Sequence, residues 1–490
     1  MLMLALDGEG ALHRQAYRAL RGAILDARLR PGARLPSSRA LSRDLGVSRN
    51  TVLQAFEQLV AEGYATARGG SGTYVAGSLP RRARDRGPGA ASKRLAPVRL
   101  SAAARRMAEG VPPGSATWQL RRDPLRYDFR YGEPAYVDLP VETWSRLLGR
   151  RARRLSVRRL AYQAPGGAPE LREALADYLA RARGVACGPE QVLIVQGSQQ
   201  AIDLCVRLFV DPGDTVVIEE PHYTGFSFCL AAAGAKLVHV PVDDEGLRVE
   251  ALDSVPRASL ACLTPSHQFP AGGVLSLRRR LALLEWAGRA GAHVLEDDYD
   301  GEFRYDSRPL ECLQSLDGEG RVVYVGTASK ILFPALRIGW LVAPPDLVGP
   351  FRDAKALADT GTGSLEQLAF ADFVREGHLD RHVRRVRQRH ASRRAALLEA
   401  VGAELGDRAR VVGSRAGIHV LLRLESLPAR AVGRLRALCR ERGVGVYPAA
   451  PFYAEPPERA ELLLGYASLV EDDIRAGVRG LREAVDALSA

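Results

Sequence analysis

Apolar residues recur at helical spacing through residues 11–28 (LHRQAYRALRGAILDARL), and Pro31-Gly32 closes that stretch. A second helix is predicted in SSRALSRDL, where Ser37 and Ser38 are both suitable N-caps. Gly46-Val47 makes a turn, and Ser48 caps a third helix with Thr51, Val52, Ala55, Phe56, Leu59 and Val60 along it. After Glu62-Gly63-Tyr64 come a short strand, the turn GGSG at 69–72, and a second strand through Thr73-Tyr74-Val75. From about residue 125 the pattern changes to short apolar runs separated by helical segments. The runs are QVLIV (191–195), DTVVIEE (214–220), KLVHV (236–240), SLACLT (259–264), HVLEDD (293–298) and VVYVG (322–326), with helices such as 198–210 and 276–291 between them. Strands alternating with helices predict an α/β domain whose mostly parallel sheet is covered on both faces. Ligands of such sheets sit at the C-terminal strand ends. The chain therefore divides into a winged helix-turn-helix at 11–78, a basic linker at 79–124 and a large α/β domain at 125–488.

Charge sharpens this division. Residues 1–110 hold 19 Lys and Arg against 8 Asp and Glu, which is nearly all of the whole-chain net charge of +12. An arginine-rich composition accounts for the number of arginines but not for their asymmetry, which points to a polyanionic partner at one end. Residues 76–110, poor in large apolar side chains and carrying nine basic residues, read as a mobile tether or as a source of salt-sensitive attraction to DNA. The basic run RLLGRRARRLSVRRL, around 145–160, reads as a solvated helix face or a second DNA contact. No apolar run approaches the roughly 18 residues of a membrane span, and no charged-then-apolar leader opens the chain. The six cysteines (187, 205, 229, 262, 312 and 439) are scattered, as in reduced cytoplasmic proteins, and their spacing fits neither a disulfide framework nor zinc.

The N-terminal elements suit a major groove. A helix capped by Ser48 enters N-terminus first, so that Arg49, Asn50 and Thr51 meet base edges and flanking phosphates. Arg39, opening the preceding helix, is placed for the backbone, while Gly70, Ser71 and Gly72 let the wing approach the minor groove. Short of that, the segment is a small helical domain with solvated arginines. The assembled string LPSSRxLSRxLGVSRNTVxxAFxxLxxEGY…GSGTYV resembles the GntR-type winged helix over about 65 residues, which implies DNA binding.

In the large domain, lysine is the informative residue. The chain has only four, at 93, 236, 330 and 355, and Lys330 alone follows an apolar strand in a turn of small residues, VVYVGTASK. A desolvated amine at a strand end is what Schiff-base chemistry needs, because a lowered pKa frees the nucleophile. Upstream, Asp297 and Tyr299 offer a carboxylate and a phenol two residues apart in HVLEDDYDGEFRY, an arrangement suited to a pyridine nitrogen and a ring hydroxyl. The neighbouring Asp298 and Glu296 are structural or pair with arginines. The turn at 197–199 in QGSQQAI leads into a helix, so backbone N–H groups and Ser198 can bind phosphate. Thr327, Ser329 and Arg337 can add contacts, and Tyr223 in EEPHYTGF can stack on a ring.

The order YQAPGG, QGSQQA, EEPHY, TPSHQFPAGG, EDDYDGEFRY, GTASK, LRIGW and LLLGYASL resembles fold-type I aminotransferases of the aspartate aminotransferase group. Joined to the winged helix, it is similar to MocR/GabR-type transcription regulators. The resemblance implies pyridoxal 5'-phosphate held as a Schiff base on Lys330, with Asp297 at its pyridine nitrogen and Tyr299 at its ring oxygen. It further implies a phosphate cup of Ser198, Gln199, Thr327, Ser329 and Arg337. Tyr162, opening YQAPGG, would reach the cofactor of a partner subunit in a homodimer, often head-to-tail with exchanged DNA-binding modules. Two positions depart from the pattern. Leu463 stands where aminotransferases place the arginine that clamps the substrate carboxylate, and Phe269 replaces an asparagine beside the cofactor, with His267 nearby as a substitute or a packed core residue. The sequence thus points to a DNA-binding regulator that senses an amine or amino-acid effector, or the cofactor itself. The competing readings are a working aminotransferase carrying a DNA-binding module, and a regulator built on a cofactor-free relic.

Overall fold

The computed structural model describes residues 4–77, 99–110, 125–305 and 311–489. The chain forms two compact units, Met1–Arg99 and Leu100–Ala490. In the first, helices Leu12–Leu25, Ser38–Leu45 and Arg49–Ala61 precede an antiparallel hairpin of Ala65–Arg68 with Gly72–Val75. The cap of the second helix is Ser37, whose side chain accepts the N–H of Ala40, and the αL residue Gly46 (φ 66°) ends that helix. Ser48 caps the third by accepting the N–H of Thr51. Ala16, Leu20, Ile24, Leu41, Val52, Phe56 and Leu59 form its core. Val60 is exposed instead, because it follows Leu59 by one residue and lies about 100° round the helix from it.

The second unit is built on an eight-stranded sheet. Its spatial order is Val192–Val195, Gly339–Val342, Val322–Thr327, His293–Asp297, Leu260–Leu263, Thr215–Glu220, Lys236–Asp243 and Gly246–Leu247. The central pairs are parallel, while Gly339–Val342 runs antiparallel to both of its neighbours. Buried on both faces, these strands read as unbroken apolar runs, which is why they stand out in the sequence. Helices Ser198–Phe209 and Leu277–Ala290 lie where the periodicity puts them. A second, antiparallel sheet orders Ala409–Val412, His419–Pro428, Arg459–Gly465 and Tyr447–Pro448.

Two expectations change here. Within the span 79–124 read as linker, Ala102–Gly110 is a helix, and Arg106 donates to the carbonyls of Ala232 (3.0 Å) and Ala233 (3.3 Å) at the end of helix Thr224–Ala233. The rest of that span, apart from residues 99–101, lies outside the described residues. In the basic run near 145–160, Arg150 pairs with Asp372 and Glu376, Arg151 with Asp372, and Arg159 with Glu170. Paired with carboxylates of their own domain, those three arginines are less available to DNA phosphates than their number suggests. Among the described residues, no helix is long and apolar enough to cross a membrane.

Candidate cofactor site and DNA-binding module

The candidate residues of the large domain gather at the C-terminal strand ends. Asp297 ends strand His293–Asp297 and stands opposite Val325, two residues before Thr327 on the adjacent strand. Thr327 pairs with Gly339, and Gly339 with Val195, so the start of helix Ser198–Phe209, with Ser198 and Gln199, lies alongside. Gly197, with φ 85°, starts the helix there, and a Cβ on it would approach the Arg337 guanidinium to 3.1 Å. Arg337 also donates to the Gln196 carbonyl. Thr327 donates to the Ser329 hydroxyl at 3.0 Å, and Gln199 is 3.4 Å from the Tyr223 hydroxyl. These residues make a cradle of N–H, hydroxyl and guanidinium donors at a helix N-terminus, a setting that suits phosphate.

Lys330 donates to the carbonyl of Gly132 at 2.6 Å. Burial pulls its ammonium below the usual lysine range, against the opposing pull of Asp300, Asp297 and Glu133. Burial likewise pushes the Asp297 carboxyl up to about 8, helped by Asp298 and Asp300 and opposed by Lys330. One oxygen of Asp297, Oδ1, is buried without a hydrogen-bond partner. The Tyr299 hydroxyl lies 2.9 Å from Nδ1 of His267, which is also 2.9 Å from Asp300. A buried carboxyl missing one partner, a deprotonation-prone lysine and a phosphate cradle together fit pyridoxal phosphate, whose protonated ring nitrogen would satisfy Asp297.

Asp298 faces the other way from Asp297 and Tyr299, as strand alternation requires. It holds a buried bidentate pair with Arg183. Glu296 accepts the backbone N–H groups of Leu313 and Gln314 and lies 3.7 Å from Arg280. Leu463 is wholly buried in a cluster with Phe269, Leu421 and Phe452, with Tyr131, Tyr223 and Tyr299 packed against it. Tyr162 is 93% exposed and joins none of these residues within the chain. Sequence reading missed Gly132, Tyr131 and Asp300. Only the FRYGEP and EDDYD strings hinted at them, since none of the three is a rare residue type.

In the N-terminal unit, Arg39, Ser48, Arg49, Asn50, Gly70, Ser71 and Gly72 are exposed and Thr51 is half-buried. Ser48 is already occupied: it caps the third helix and hydrogen-bonds the Thr51 hydroxyl at 2.8 Å. Arg49 donates to Ser38 at 3.2 Å, which ties the start of the third helix to that of the second.

Two family descriptions match this architecture. "Bacterial regulatory proteins, gntR family" covers residues 12–75, and "Aminotransferase class I and II" covers residues 134–480. The probable rhizopine catabolism regulatory protein MocR of Rhizobium meliloti is 38% identical over 100% of this chain and 97% of its own length. The HTH-type regulator TauR of Rhodobacter capsulatus is 32% identical over 98% of both chains. The chain belongs to the MocR-type transcription regulators. This MocR-type regulator binds DNA through its N-terminal module, and its large domain takes pyridoxal phosphate as cofactor. That domain is similar to the α-aminoadipate aminotransferase LysN of Thermus thermophilus, solved with a phosphopyridoxyl-leucine (30% identity, TM-score 0.72, 80% of this chain and 99% of that one). It is also similar to the kynurenine aminotransferase of Pyrococcus horikoshii (29% identity, TM-score 0.69, 80% and 96%).

Asp297 makes the stability of the cofactor-free MocR-type regulator depend on pH. The folded chain keeps a proton that the unfolded chain, with an aspartate pKa of about 3.9, has released; this holds until the pH passes about 8. Stability contributed by this residue is therefore greatest at low pH and falls as pH rises through that window. Asp297→Asn is expected to remove that part of the slope. Urea melts of cofactor-free wild type and variant at several pH values across the window check this, and parallel slopes would refute it.

Proposed function

We propose that this regulator uses its aminotransferase-like domain as a sensor of an amine effector, or of pyridoxal phosphate itself, rather than as a catalyst of steady turnover. Pyridoxal phosphate supplies an aldehyde that condenses with primary amines and a ring that withdraws electrons once its nitrogen is protonated. Lys330 is the side chain that attaches it, helped by the burial that favours its neutral amine. The unpartnered oxygen of Asp297 would hold the ring nitrogen, and Tyr299, braced by His267, would hold the ring oxygen. Ser198, Gln199, Thr327, Ser329 and Arg337 hold the phosphate, and Tyr223 stacks on the ring. The exposed Tyr162 serves the site of a partner subunit in a cytoplasmic homodimer of head-to-tail arrangement.

One observation carries the sensor reading. The slot for the carboxylate-clamping arginine holds Leu463, fully buried among aromatic and aliphatic side chains. Amino-acid transamination thereby loses a bidentate contact that would orient its substrate. The MocR relative, named for the regulation of rhizopine catabolism, is in keeping with a regulator of small-molecule metabolism. Regulation requires that the effector bind two states of the protein with different affinity. The test loads the full chain with pyridoxal phosphate and titrates amines while following operator affinity and product. An amine that changes operator affinity without sustained product formation supports the sensor. Steady conversion of an amino acid to a keto acid with no change in operator affinity rules it out.

On DNA, Arg49 is placed for base edges and Arg39 for the backbone. Arg49→Ala is expected to weaken operator binding by about 1–3 kcal/mol and to relax sequence preference at one position. Arg39→Ala is expected to weaken binding to all sequences and to flatten the salt dependence. Fluorescence anisotropy on operator and scrambled duplexes at several salt concentrations separates the two.

A further inference from the structure

Outside the cofactor cradle, the end of strand Thr215–Glu220 holds a second group of polar side chains. Glu220, His222 and His239 each offer one donor atom, and those atoms all lie within 4.8 Å of one another. Nδ1 of His239, on the adjacent parallel strand, is 2.9 Å from Oε2 of Glu220. His222 has a side chain only 6% exposed, and its Nδ1 stands 3.6 Å from that same oxygen, without a hydrogen-bond partner. A Glu–His hydrogen bond accounts for His239 but leaves the buried His222 nitrogen unsatisfied, at a cost that native proteins avoid. The other oxygen of Glu220 is fixed by the N–H of Ala454 at 2.7 Å.

We propose that Glu220, His222 and His239 form a binding site for a divalent transition-metal ion of the zinc class. Two imidazoles and one carboxylate are a donor set such ions take, and tetrahedral zinc holds its donors ~3.3 Å apart, reachable here by small side-chain rotations. Glu220 and His239 are only half-buried, so an ion can reach the site from solvent. The ion ties together two strands and, through Glu220, the loop at Ala454. The backbone N–H of His222 also bonds the carbonyl of Phe452 in that region, at 2.9 Å. A metal here stiffens the link between the parallel sheet and the 450–454 segment, next to Tyr223. Sequence spacing gives no sign of it, because His239 reaches the other two only through strand pairing.

The test uses chelator-stripped full chain titrated with zinc by calorimetry, and with cobalt(II) followed by its visible bands. One equivalent per chain is expected, with four-coordinate cobalt absorbance, and a zinc-dependent rise in melting temperature. His239→Gln, at a half-exposed position, is expected to fold as wild type and to lose affinity by more than about 100-fold, since even ligand-supporting groups cost 10–100-fold. Glu220→Gln is expected to do the same. Absence of zinc binding to wild type overturns the proposal, as does unchanged stoichiometry and affinity in both variants.

Discussion

Lys330→Ala is expected to abolish the borohydride-sensitive near-ultraviolet and visible absorbance of the cofactor-loaded protein, together with every response of operator binding to amines. Basal operator affinity is expected to stay within about threefold, a change of under ~0.7 kcal/mol. The reason lies in what surrounds the other lysines. Lys355 is wholly buried and holds Asp359 at 2.7 Å and Thr362 at 3.0 Å, so its amine is committed to structure. Lys236 is exposed at the opposite end of its strand from the cofactor cradle. Among the described lysines, Lys330 alone sits beside Asp297 in a setting that lowers its pKa. Removing it costs one side-chain hydrogen bond to Gly132 and lies in a different compact unit from the winged helix, so the DNA-binding module is left intact. Circular dichroism and an absorbance titration with pyridoxal phosphate decide the matter. A reducible band retained by the variant would show that a different amine carries the cofactor.

The parts of this site that were readable in the sequence share a physical cause. Parallel strands buried on both faces produce continuous apolar runs, so the ends of those runs mark where Asp297, Thr327 and Tyr223 stand. Lys330 is conspicuous because lysine is scarce, and Ser37 and Ser48 are conspicuous because caps sit at fixed offsets from the helices they start. What escaped the reading depends on partners far apart in the chain. Gly132 and Lys330 are 198 residues apart, and Arg183 and Asp298 are 115 apart. Helix Ala102–Gly110 escaped for a different reason. Its sequence, AAARRMAEG, has a single large apolar residue and so lacks the stripe that announces a docked helix; Arg106 anchors it through hydrogen bonds instead.

The second large effect concerns the reverse face of the strand that carries Asp297. Arg183→Ala is expected to destabilise the large domain by about 3–5 kcal/mol and to weaken cofactor binding without touching a cofactor-facing residue. The guanidinium and the carboxylate of Asp298 are each 1% exposed and meet through two bonds of 2.7 and 2.9 Å. Arg183 also donates to the Gly301 carbonyl at 2.8 Å and to Ser266 at 3.2 Å, while Tyr324 donates to Asp298 at 2.6 Å. Gly301 is needed for this closeness, because a Cβ there would come within 2.3 Å of both charged groups. Deleting the arginine leaves a buried carboxylate with no counter-ion, and that desolvation is what costs stability, since the pair itself adds little beyond an apolar replacement. The Asp298 carboxyl is held below the usual range against burial by the Arg183 charge, so wild type retains this contribution at neutral pH and loses it on acidification through the folded-state pKa. In the variant Asp298 takes up a proton far more readily, and the destabilisation shrinks as pH falls. Joint replacement by Arg183→Met and Asp298→Leu is expected to recover much of the melting temperature, while Arg183→Ala alone does not. Equal melting temperatures for wild type and Arg183→Ala would mean that water replaces the guanidinium at Asp298. In that case the orientation of Asp297 would rest on the strand's own backbone pairing, and that of Tyr299 on its contact with His267.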